Sequence, residues 1–121
     1  MTNVQRSADC GNSPKNKIAE DLAVGLETGM LDPSILLDDL VWRDAAGATR
    51  VSRDDVLEHL ATRLAPVSLT IDNVTSHGKV AAVSGTAKLG DGAERFAHFI
   101  RFVSAGAKQV AEIESFRKLE R

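Results

Sequence analysis

Hydrophobic side chains recur with two different periods along the chain, and the change falls near Pro66. Ahead of it, Ile18, Leu22 and Leu26 are spaced by four, with Ala19 and Ala23 beside them. That spacing gives one apolar stripe on an amphipathic helix. Ser13-Pro14 supplies the start signal: serine caps the first turn, and proline tolerates a position whose N–H would be unpaired there anyway. Gly29 fits the C-terminal cap. Asp32-Pro33 repeats the start signal and predicts a short second helix through Ile35, Leu36 and Leu37. Leu40 to Asp44 reads as a short strand, with Leu40, Trp42 and Asp44 on one face and Asp39, Val41 and Arg43 on the other. Ala45-Ala46-Gly47 then turns the chain. Ser52 caps a third helix, with Asp55 three residues on in the capping-box position. Val56, Leu57, Leu60 and Leu64 form its buried stripe, and Pro66 ends it.

From Val67 the period becomes that of strands, predicted near residues 67–77, 79–89, 93–104 and 108–118. His77-Gly78-Lys79 and Gly90-Asp91-Gly92 mark two turns between them, and Ser104 to Lys108 a looser third. Long strands paired in succession leave one sheet with one buried face, which the preceding helices can cover. The expected architecture is therefore α+β: three N-terminal helices packed on a curved antiparallel sheet, a cone around one apolar pocket. Residues 1–12 are polar and aperiodic and are expected to be a disordered tail, leaving residues 13–121 as the folded domain.

Composition narrows the function classes. A chain of 121 residues fits one core, and 43% apolar residues are enough to build it. The net charge of -2 comes without a basic face, which argues against nucleic acid. No apolar run approaches the roughly 20 residues of a membrane span, so no membrane is expected as partner. The N-terminus lacks a signal-peptide core, and a cytoplasmic location is the default expectation. The single cysteine, Cys10, excludes an internal disulfide and a cysteine-rich zinc site. His59, His77 and His98 have no metal-ligand spacing, so no metal site is expected. Neither the Gly-rich dinucleotide signature nor a P-loop is present, so no cofactor is expected either.

Two residues stand out as candidate chemistry. In Arg95–Val103, Phe96, His98, Ile100 and Phe102 alternate onto one face, and Arg95, Ala97, Phe99, Arg101 and Val103 share the other. His98 thus sits among apolar side chains. Burial favours the neutral imidazole, which suits an acid–base or polarising role; a core histidine bonded to backbone or water is the structural alternative. Asp44 shares its face with Trp42. An apolar setting makes such a carboxylate a general-base candidate, whereas an aspartate before a turn also bonds its own backbone. Asp38-Asp39 points to opposite faces of a strand, and Asp54-Asp55 is explained by a helix N-terminus. Trp42, Phe96 and Ile100 form the expected pocket lining, with Leu22, Leu60 and Phe116 completing it. The register of the last strand stays open: either Glu112, Glu114 and Phe116, or Ile113, Ser115 and Arg117, face the pocket.

The element order, with LLDDLVWRDAAG after the first helices, VSRDDV opening the third and RFAHFIRF in the sheet, resembles the nuclear-transport-factor-2-like superfamily. Within it, the SnoaL-like polyketide cyclases and the ketosteroid isomerases are the most similar branch. The resemblance covers Ser13 to Phe116. It implies a cone-shaped, cystatin-like α+β barrel with a pocket at its open end, and a homodimer through the outer sheet face. On that face Phe99 and Val103 would lie with Arg95 and Arg101. In the isomerases an acid pair opens a strand and a general-base aspartate precedes a turn glycine; Asp38-Asp39, Asp44 and Gly47 match that pattern. An oxyanion donor precedes an apolar-Arg-Phe run, matched by His98 ahead of Ile100-Arg101-Phe102. The chain has no Tyr, so the isomerases' tyrosine donor has no counterpart, and Leu22 or a neighbour occupies that region. The resemblance implies a small apolar molecule as partner and cofactor-free proton transfer by Asp44 and His98, as in isomerisation, cyclisation or dehydration of a carbonyl compound. The competing expectation is a non-catalytic ligand-binding or dimeric interaction domain.

Overall fold

A computed structural model describes residues 2–7, 13–45 and 47–120. The apolar stripe around Leu22 forms helix α1, Pro14–Thr28. Ser13 Oγ accepts the Asn16 N–H at 3.2 Å, and Gly29 closes the C-terminus with φ 80° and an N–H bond to Gly25 O. A Cβ at Gly29 would lie 2.9 Å from Leu60 O, so glycine serves there both for its left-handed backbone and for the close approach of the Leu60 backbone.

The expected second helix is a single 3₁₀ turn, Pro33–Ile35. Leu36 and Leu37 belong instead to strand β2, Leu36–Asp44, because Leu36 is already in register with Val110 of the last strand. After the turn come β3, Thr49–Val51, and α2, Arg53–Ala61. Ser52 Oγ accepts the Asp55 N–H, and Asp55 Oδ2 accepts the Val51 N–H, so the capping pair works in both directions. Bonds from Thr62 N–H to His59 O and from Arg63 N–H to Leu60 O tighten the helix end. Leu64 lies beyond it and is 88% exposed, not part of the buried stripe. The fold therefore has two helices where three were expected.

Strands β4 (Ser68–His77), β5 (Val80–Lys88), β6 (Ala93–Phe102) and β7 (Val110–Glu120) form the expected antiparallel meander. The full sheet is mixed, not antiparallel, in the order β1-β4-β5-β6-β7-β2-β3, where β1 is Asn3–Gln5. Both β1–β4 and β2–β7 are parallel pairs. The segment expected to be a disordered tail thus contributes an edge strand, because pairing with Ser68–Thr70 satisfies backbone groups at the sheet edge. Cys10 lies outside the described residues.

The register of β7 follows from β6: Ile100 pairs with Ile113, His98 with Ser115, and Phe96 with Arg117. Cross-strand partners share a face, so Ile113, Ser115 and Arg117 point inward. Phe116 is on the outer face, 41% exposed, with its ring edge-on to Phe99 at 5.6 Å. It does not line the interior. Gly85 lies opposite Phe96, and a Cβ there would run into Thr70 O, next to the β4–β5 register shift after Ile71. Leu22, Leu26, Leu40, Trp42, Val56, Leu60, Leu69, Phe96, Ile100 and Ile113 fill the space between the helices and the sheet's inner face. No helix among the described residues is long and apolar enough to cross a membrane.

Candidate functional site

One row of the sheet carries the polar groups inward. Asp44 of β2 and His98 of β6 both have Ser115 of β7 as cross-strand partner. The three share the inner face, with about 10 Å between the outer two backbones. The next inward row, Trp42, Ile113 and Ile100, is apolar apart from the indole N–H.

Helix α1 brings a fourth group to this row. Ala19, Ala23 and Glu27 are spaced by four, so Glu27 continues a buried line along the helix and is itself buried. His98 Nε2 lies 2.7 Å from Glu27 Oε2 and Nδ1 lies 2.6 Å from Ser115 Oγ. Trp42 Nε1–H donates to the same Ser115 Oγ at 2.8 Å. An indole N–H can only donate, so Ser115 accepts from Trp42 and its hydroxyl proton is available for His98 Nδ1. The ring then presents Nε2–H to Glu27. In this tautomer every member of the chain Trp42–Ser115–His98–Glu27 is satisfied, with the His98 ring 0% exposed.

Glu27 ends the chain at two guanidinium groups. Arg117 grips its carboxylate with two bonds, 2.9 Å from Nη1 to Oε1 and 2.7 Å from Nη2 to Oε2. Arg63 reaches Oε1 at 3.3 Å and donates from Nε to the Glu27 carbonyl at 3.2 Å, satisfying a last-turn carbonyl of α1. Burial opposes ionisation of Glu27, but the hydrogen bonds from His98 and Arg117 outweigh it and hold the carboxyl down at about 2. Burial also opposes the charge on both arginines. Glu27 reverses this for Arg117, whose proton affinity is raised, and not for Arg63, whose affinity is lowered. Arg117 is therefore the principal counter-ion, with Glu94 a further 3.6 Å from its Nη1.

At the Trp42 end, His59 of α2 meets the indole edge-on at 5.5 Å, and the Arg50 guanidinium sits over the same ring at 5.5 Å. Asp44 is half-buried. Its main chain closes the turn, with Gly47 N–H donating to Asp44 O at 2.9 Å and Asp44 N–H to Ala48 O at 2.8 Å. Burial, Arg50 and Arg63 lower the proton affinity of His59 against a smaller opposing pull from the Asp44 carboxylate, which also adds to the raised affinity of Arg117.

The structure thus brings Asp44, Trp42 and His98 to one face, with Leu22, Leu60, Phe96 and Ile100 packed as buried neighbours, and turns Phe116 away. Sequence reasoning did not single out Glu27, Arg63 or Arg50. The four-residue row Ala19, Ala23, Glu27 was the signal for the first of these. Ser115 and Arg117 belonged to one of two open registers. Asp38 faces solvent in an ion pair with Arg53 at 2.7 Å. Among the described residues no three His, Cys, Asp or Glu side chains converge as a metal site would require. Two grooves of about 370 and 400 Å³ are present, and neither is lined by Asp44 or His98. The first lies chiefly on the outer sheet face beside Phe99, and the second between α1 and the segment Met30–Ile35. The buried polar row, where the titratable groups converge, is the better functional candidate.

No family model matches the sequence, and no curated protein matches it. Solved structures do. A ketosteroid-isomerase-like protein of Kribbella flavida aligns with TM-score 0.73 at 19% identity, covering 88% of this chain and 79% of that one. A nuclear-transport-factor-2-like protein of unknown function from Burkholderia xenovorans aligns with TM-score 0.71 at 13% identity, covering 87% and 85%. The epoxide hydrolase/cyclase-like enzyme SalBIII, of pyran ring formation in salinomycin, aligns with TM-score 0.67 at 10% identity, covering 89% and 93%.

Proposed function

On its nuclear-transport-factor-2-like fold, we propose that the chain is a small-molecule protein performing cofactor-free proton transfer on an apolar carbonyl compound, as an isomerase, cyclase or dehydratase. The observation that carries this reading is the inward row Asp44–Ser115–His98 with its buried connection to Glu27. An ion pair buried in a small core adds little stability over apolar residues of the same size. Its presence beside the half-buried Asp44 suits a reaction site better than a scaffold.

Asp44 is the half-exposed carboxylate of the row and takes a proton from the carbon next to the carbonyl. Isomerisation returns that proton to another carbon, so no atom is gained or lost. Glu27, held near 2, is too acidic for this task. His98 has both ring nitrogens occupied and acts as a positioning residue, fixing Ser115 on one side and the Glu27–Arg117 pair on the other. Similarity to a ketosteroid-isomerase-like protein and to a cyclase-like enzyme supports the reading at the level of fold.

The test is α-proton exchange of β-tetralone in D₂O, followed by proton NMR, with a β,γ-unsaturated ketosteroid as second substrate. Asp44→Asn is expected to slow catalysed exchange by about 10²-fold or more. Lack of protein-dependent exchange with both compounds, or an Asn variant as fast as the parent, sinks the reading.

A second reading concerns the outer sheet face. Phe99 is 50% exposed and Val103 47%, beside a groove that Arg101, Glu112 and Glu114 also line. Apolar surface flanked by both signs of charge is self-complementary, and we propose a homodimer through this face. Light scattering at micromolar concentration is expected to give the mass of two chains, and Phe99→Asp that of one. A monomer in the unsubstituted protein disproves it.

A further inference from the structure

Arg50 differs from four other arginines of the chain. Arg43 is paired with Glu112, Arg53 with Asp38, and Arg63 and Arg117 with Glu27. Arg50 instead lies over the Trp42 ring. Its Nη1 is buried and has no hydrogen-bond partner, the one side-chain nitrogen or oxygen in that condition among the described residues. Buried donors are normally paired, so a group of this kind calls for a missing acceptor. The acceptor would be close to the row of titratable groups: Arg50 pairs with Trp42 across β2–β3, and Trp42 is two residues from Asp44.

We infer that Arg50, together with His59 against the same indole ring, forms a subsite for the carboxylate of the ligand. This deepens the reading of the polar row as a small-molecule site and narrows the ligand to an apolar carbonyl compound that also carries a carboxylate. A guanidinium supplies forked donors that match a carboxylate, and the partly exposed His59 ring, edge-on to the buried Trp42, supplies an aromatic flank beside it. The local field agrees. Burial, Arg50 and Arg63 lower the proton affinity of His59, against the weaker opposing pull of Asp44 on β2 and Asp55 on α2. A bound anion would relieve the positive field of Arg50 on that imidazole.

Trp42 is the sole tryptophan, so its fluorescence reports on this place alone. Titration with benzoate is expected to change that fluorescence saturably and to raise the His59 pKa seen by NMR. Benzamide, neutral and of the same shape, is expected to do neither. Arg50→Gln should weaken benzoate at least about tenfold, the loss of a charge-assisted hydrogen bond. Arg50→Lys, which keeps the charge without the fork, should give an intermediate loss and serves if the Gln variant does not fold. The Trp42 indole N–H resonance, held by Ser115, verifies that each variant retains the fold. Benzoate that binds without catalysed ketone exchange leaves the subsite standing and removes the acid–base reading. An absent benzoate response, equal binding of benzamide, or undiminished binding by Arg50→Gln overturns the subsite even where exchange proceeds.

Discussion

Glu27→Ala is expected to lower the free energy of unfolding by about 3–5 kcal/mol, the cost of removing one partner from a buried ion pair. The carboxylate accepts from His98 and from both arms of Arg117, and Arg63 adds a fourth donor. Without it, His98 Nε2–H faces an apolar core, and two partly buried guanidinium groups lose their counter-charge. The penalty arises from what is left behind, not from the strength of the pair itself. Removing both sides together, as in Glu27→Met with Arg117→Met, is therefore expected to recover a large share of the loss. Urea denaturation of the two variants beside the parent decides this. A loss below about 1 kcal/mol in the single variant, well short of the buried-pair cost, would mean that the carboxylate is solvated and the network open.

Acidification tests the same group by another route. The Glu27 carboxyl is held at about 2, against an ordinary value of 4.5. The unfolded chain therefore binds the proton first as pH falls. The stabilisation from Glu27 is complete above the unfolded value of about 4.5 and is lost as pH falls through about 2. At 1.36 kcal/mol per unit, it amounts to about 3 kcal/mol. Unfolding measured in urea at stepped pH is expected to show this loss in the parent. In Glu27→Gln, which has no carboxyl to titrate, the pH dependence should be shallower by that amount. Parallel curves for the two proteins would rule out an ionised, paired Glu27.

Local chemistry made part of this architecture legible. Helix α1 was readable because its stripe, its Ser13 cap and its Gly29 stop agree with one another. The β4–β7 meander was readable from period-two alternation and two glycine turns. The pairing of β2 was not, because a parallel partner some seventy residues away leaves no local trace. The second helix failed for the same reason: Asp32-Pro33 is a valid start signal, but the following leucines were taken by the sheet. Asp44, Trp42 and His98 were placed correctly on inward faces because alternation alone determines facing once a strand is established. Glu27 was hidden by its type. A glutamate beside an apolar stripe ordinarily lies at the solvated edge, and burying it requires Arg117, Arg63 and His98 to arrive from three other parts of the chain.

By itself, then, the sequence determined the helix–sheet class, the meander, and the inward direction of Asp44, Trp42 and His98, all of which depend on neighbours a few residues apart. Only the tertiary structure decided the mixed sheet order, the outward turn of Phe116, and the joining of Trp42, Ser115, His98 and Glu27 into one buried relay. These depend on which distant segments meet. A hydrogen bond of 2.6 Å between His98 and Ser115, or an orphan nitrogen on Arg50, exists only once the register of strands far apart in the chain has been set.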